Sequence, residues 1–153
     1  MSGTAAMAPA DLEVSRARQL GRLRGSAMGA MVMLILQYAL GMGVNLYVTP
    51  GKTGLSEAFK NGPVLALHAV LGVLLILAAI GLLVRAIMAR HRAVITASAV
   101  GLVAIIAAAG SGVSFLSSKA NGASMGMAMA TAVAFLCYAL CLLLLGSRGS
   151  RRA

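Results

Sequence analysis

Asn61-Gly62-Pro63-Val64-Leu65-Ala66-Leu67-His68-Ala69-Val70-Leu71-Gly72 opens an apolar run that continues to Val84 and decides the fold. It is long enough to cross about 30 Å of hydrocarbon as a helix. It also carries His68, the one ionisable side chain that the sequence places inside a bilayer. Asn61 reads as the N-cap of this helix, and Pro63 falls in the first turn, where a missing N–H does no harm.

Three further runs of the same kind lie on either side. The spans fall near 26–48, 62–84, 93–116 and 123–146 of the 153 residues. Hydrophobic residues make up 60% of the chain and the mean hydropathy is +0.94, too apolar for a soluble domain of this length. In lipid every backbone N–H and C=O must be satisfied within the spanning segment, and no run alternates with period two, so the spans are helices rather than strands. The expected fold is an all-α four-helix transmembrane bundle, up-down-up-down, with short connections. It divides into a basic N-terminal segment (1–25), the bundle (26–146) and a basic tail (147–153).

The net charge is +10, but its placement argues against nucleic acid. Arg16, Arg18, Arg22 and Arg24 precede span one; Arg85, Arg90 and Arg92 join spans two and three; Arg148, Arg151 and Arg152 follow span four. Lys52, Lys60 and Lys119 occupy the two remaining loops, so arginines and lysines sit on opposite sides. The positive-inside rule makes the arginine side, with both termini, cytoplasmic. The same charges predict attraction to an anionic inner leaflet. Residues 11–25 read either as a basic helix on the membrane surface, resting on Leu12, Leu20 and Leu23, or as a solvated tail. The first apolar run is too long for a signal-peptide core and reads as an uncleaved span.

Small and polar residues pattern the spans. Gly25, Gly29, Met33, Gln37, Gly41 and Asn45 recur every four residues in span one and are expected to face the bundle interior, where Gln37 requires a partner. Ala97, Gly101, Ala104, Ala108 and Gly112 in span three, and Gly122, Gly126, Ala130 and Ala134 in span four, predict close helix packing. Gly41-Met42-Gly43-Val44-Asn45-Leu46 resembles Gly110-Ser111-Gly112-Val113-Ser114-Phe115, and Asn61-Gly62 matches Asn121-Gly122. This suggests two helical hairpins related by an approximate two-fold along the membrane normal, with His68 facing Met127–Met129. Chance matching among small residues is the alternative.

His68 is the leading site candidate because intramembrane ionisable residues are rare and functional by default. Three roles are open to it: an axial haem ligand, a proton relay or quinone contact, or a structural hydrogen bond to Gln37, Asn45 or a serine. Gly72, one turn on, is expected to leave space beside the imidazole. Met125 and Met129, with Met127, offer thioethers for a His/Met haem pair or a soft metal such as Cu(I), against the plainer reading of core gap-fillers. Cys137 and Cys141 share a face of span four and read as small packing residues. His91, between Arg90 and Arg92, reads as an interface residue.

Asp11, Glu13 and Glu57 are the only acids and none lies in a span, which argues against a proton-coupled exporter and against paired-carboxylate catalysis. There is no nucleophile motif and no nucleotide fingerprint.

The run Leu36-Gln37-Tyr38-Ala39-Leu40-Gly41-Met42-Gly43-Val44-Asn45-Leu46-Tyr47, with Leu67-His68-Ala69-Val70-Leu71-Gly72, resembles small four-helix membrane proteins of actinobacteria. More loosely, His68 to Gly72 is similar to ligand helices of b-type cytochromes and haem A synthase. That likeness implies haem held by paired histidines, of which only His68 has a counterpart here. The sequence favours a non-enzymatic membrane scaffold or accessory subunit, self-associating or bound to another membrane protein. The alternatives are a haem-binding electron-transfer protein using His68 and a small-solute transporter or channel subunit.

Overall fold

The computed structural model describes residues 9–47, 62–118 and 121–147. Among them are four helices and no strand: α1 (Pro9–Tyr47), α2 (Pro63–Met88), α3 (Arg92–Ser118) and α4 (Asn121–Gly146). Each is long and apolar enough to cross a membrane. The chain is an all-α, multi-pass membrane protein. Successive helices are antiparallel and close a ring in which α1 packs on α2 and α4, and α3 on α2 and α4.

Three helices coincide with the expected spans to within a few residues; α1 does not. It begins at Pro9 and runs unbroken for 39 residues, about 58 Å at 1.5 Å per residue. The segment before span one is therefore a continuation of the same rod, not a separate helix lying on the surface. Ala17, Gln19, Leu20 and the arginines are strong helix formers, so the first span nucleates a helix that they propagate toward the terminus. At the start of α2 the cap is Gly62, whose carbonyl accepts from the N–H groups of Leu65 and Ala66 at 3.0 and 3.1 Å. Asn61 lies outside the described residues, as do the lysine-bearing loops and Arg148, Arg151 and Arg152.

The helices meet along seams spaced alternately three and four residues apart. On α2 the seam is Leu65, His68, Gly72, Leu75, Ala79, Leu82 and Ala86. On α1 it is Leu23, Ala27, Ala30 and Leu34, continued by Gln37 and Gly41 against α2. On α4 it is Ala134, Tyr138, Cys141 and Leu145. A mean interval of 3.5 residues keeps a seam facing its neighbour along the whole contact.

The strict four-residue stripe expected to face inward on α1 therefore fails as a single face. Four residues turn a helix through about 400°, so such a stripe precesses about 40° per step. Gln37 and Gly41 point into the bundle, whereas Gly25 and Gly29, about a third of a turn away, are exposed with no neighbouring atom within 4 Å of an added Cβ.

Three residues, Ala89 to His91, join α2 to α3. Arg90 N–H donates to Ile87 O at 2.9 Å and His91 N–H to Ala86 O at 3.3 Å, the two bonds of a Schellman ending. The ending requires a left-handed residue after the cap, and Arg90 fills it with φ 52°. His91 then caps α3: its Nδ1 accepts from Val94 N–H at 3.4 Å and its carbonyl from Ile95 N–H at 2.9 Å. It is a buried cap, 8% exposed, rather than a residue resting at the interface.

A non-glycine residue in the left-handed region costs about 1–2 kcal/mol. Arg90→Gly is expected to stabilise the bundle by about 1 kcal/mol, after allowing for the added freedom of glycine in the unfolded chain. Reversible unfolding in mixed detergent and SDS measures it; a loss of stability would contradict the strain argument.

Candidate functional site

The seam positions Gln37 of α1 and His68 of α2 carry the polar pair of the first hairpin. Gln37 Nε2 lies 3.3 Å from His68 Nε2. In this arrangement the amide donates to the ring, which requires the imidazole proton on Nδ1. Turning the amide over reverses the bond, with imidazole Nε2–H donating to Oε1 and Nδ1 left as a bare lone pair. The two side chains share one bond in either sense, and neither arrangement needs a charge.

Two glycines make room for it. A Cβ on Gly41 would sit 3.2 Å from His68 Cε1, and a Cβ on Gly72 would sit 3.0 Å from Gln37 Nε2. The space beside Gly72 is therefore filled by the amide, not the imidazole, and the imidazole lies against Gly41. The arrangement is reciprocal: each helix supplies a glycine for the other's polar side chain. Gln37 Oε1 and His68 Nδ1 are buried and have no protein hydrogen-bond partner.

The remaining candidates are not gathered around this pair. The side chain of Asn45 lies outside what is described. Met125 and Met129 are 70% and 59% exposed, on the outside of the bundle, while His68 is inserted between α1 and α2. Met127 packs on α3, its sulfur 3.6 Å from where a Cβ on Gly112 would lie. Haem iron would thus find one imidazole, its Nε2 already engaged by Gln37 and no thioether beside it, so no chemistry is derived through haem. Among the described residues no group of three His, Cys, Asp or Glu side chains is placed to hold a metal.

Two polar features escaped the sequence reading. Tyr138 is fully buried in α4, with its ring 3.1 Å from a Cβ built on Gly101 and its hydroxyl unpartnered. Cys141 lies one turn along the same face and directs Sγ toward Val94 O at 4.0 Å. The second is Arg85, which donates to Ser26 Oγ across the α1–α2 seam. The signal available was one tyrosine opposite a span-three glycine, and a serine and an arginine at the same membrane edge.

Comparison with protein-family models, curated proteins and solved structures finds no match to this chain.

A polar pair between membrane helices is worth about 0.6 kcal/mol on average and rarely above 1.7. A double-mutant cycle of Gln37→Leu and His68→Leu is expected to return a coupling of about 1 kcal/mol in mixed-micelle unfolding. Strict additivity would mean that the two side chains do not act together.

Proposed function

We propose that this protein is a non-enzymatic scaffold or accessory subunit of a membrane assembly, binding a further helix along the open face of α1. The observation that carries the proposal is the state of Gly25 and Gly29. Both are exposed, and nothing lies within 4 Å of a Cβ added to either. Gly21 extends the strip by one more turn in the same condition. A helical glycine costs about 1 kcal/mol relative to alanine, and with no neighbour against it, it recovers none of that through packing. Elsewhere in the bundle Gly41, Gly72, Gly101 and Gly126 each admit a neighbour's side chain. Glycines four apart with no occupant are the surface on which membrane helices approach most closely.

The partner is a second copy or another membrane protein. The arginine-bearing end faces the cytoplasm of a bacterial cell, against the anionic leaflet, in keeping with the placement of Arg16, Arg18, Arg22, Arg24, Arg85, Arg90 and Arg92 on one side. No Asp or Glu falls within 26–48, 62–84, 93–116 or 123–146, which fits a role without proton coupling.

A photo-cross-linking residue at Met28 or Val32, both exposed beside the strip, tests this in native membranes. One reproducible adduct is expected, and Gly25→Leu with Gly29→Leu should abolish it without unfolding the bundle. Scattered adducts indifferent to the two substitutions would exclude the proposal.

A further inference from the structure

We infer that the α1–α2 cleft at the arginine end is a phosphate-binding clamp formed by Arg22, Ser26 and Arg85, whose ligand is the headgroup of an anionic phospholipid. The inference rests on the helices crossing a membrane and not on the scaffold reading.

Hydrogen-bond accounting fixes the roles. Ser26 Oγ donates its one proton to Arg22 O at 2.9 Å. Its lone pairs are then free, and Arg85 Nη1 donates into them from α2. Ser26 thus holds the Arg85 guanidinium in one orientation while using one of its five N–H donors. Arg22 stands one turn before Ser26 on the same side of α1, which puts a second arginine at the same end of the α1–α2 contact. Both arginines are exposed, while Leu23, Leu82 and Ala86 beside them are buried and give the cleft an apolar floor.

Nothing within the described chain neutralises these charges. Its acids are Asp11 and Glu13, eleven and nine residues before Arg22 on α1, about 14–17 Å along the rod, and farther still from Ser26, which holds Arg85. One guanidinium fork held in place and a second exposed arginine one turn from its anchor offer free donors to the tetrahedral oxygens of a phosphate, which an arginine fork binds through two parallel bonds. Phospholipid headgroups lie at this depth, where the arginines end and the spans begin. On α2, Val84, Ile80 and Leu77 follow Arg85 as an exposed apolar track for an acyl chain.

The test uses the full chain purified in detergent, with thermal unfolding followed against phosphatidylglycerol, phosphatidylcholine or inorganic phosphate. Phosphatidylglycerol is expected to raise the midpoint and phosphatidylcholine to leave it unchanged. Arg85→Gln and Arg22→Gln should each weaken the phosphatidylglycerol response about tenfold in half-saturating concentration, Arg85→Lys less so, and Arg16→Gln not at all. Ser26→Ala, which keeps both charges, should also weaken it because Arg85 loses its orientation; this variant decides the matter if Arg85→Gln does not fold. Stabilisation by inorganic phosphate as strong as by the lipid, and equally dependent on Arg85, would assign the clamp to free phosphate and overturn the headgroup. Loss of response in Arg16→Gln equal to that in Arg85→Gln would show a diffuse basic surface and overturn the clamp itself.

Discussion

Helices in lipid gain nothing from hiding apolar surface from one another, because the lipid tails are as apolar as leucine. What remains is close contact, and this bundle obtains it at glycines. Gly41 receives His68 and Gly72 receives Gln37; on the other side Gly101 receives Tyr138, Gly112 receives Met127 and Gly126 approaches Ser111. An added Cβ would press on the neighbouring side chain in all of these except Gly112, where Met127 lies at ordinary van der Waals distance. Dispersion gains of this kind depend steeply on distance, so a gap of half an ångström already forfeits much of them. The positions of these glycines along 3.5-residue seams therefore decide which helix faces which.

The two hairpins share this device and differ in what they place in it. Between α1 and α2 the inserted groups are an amide and an imidazole that bond to each other, and a second polar link joins Arg85 to Ser26 near the arginine end. Between α3 and α4 the inserted groups are a tyrosine ring and a thioether, with the fully buried Ser98 turned back onto Ile95 O at 3.1 Å. The first hairpin thus carries polar side-chain bonds at two depths, while the second seats a tyrosine ring and a thioether at its seam and directs Cys141 Sγ to Val94 O.

The existence, number and approximate limits of the spans were legible because hydropathy over some twenty residues is a strong signal. His68 stood out for the same reason, and Gln37 was among the partners that its position offered. The faces were harder to read. A repeat of four and an alternation of three and four look alike over one turn and diverge by half a turn over about fourteen residues. Gly25 and Gln37 accordingly belong to different faces although they fall in one stripe. The N-terminal reach of α1 was hidden because its arginines, glutamine and alanine carry no hydropathy, only helix propensity. The contacts of Tyr138 and Arg85 depend on which helices are neighbours, and no local pattern encodes that.

The three-residue junction at Ala89–His91 also has a mechanical meaning. A closed Schellman ending followed at once by a capping histidine leaves no slack, so α2 cannot slide along α3 without dismantling both helix ends. Only two residues separate α3 from α4, one fewer than join α2 to α3, whereas fifteen residues of chain separate α1 from α2. Under a tug along the membrane normal, the last three helices would travel as one block and α1 would be the rod free to slip. The brakes on that stroke are the two polar fastenings, one at each end of its contact with α2.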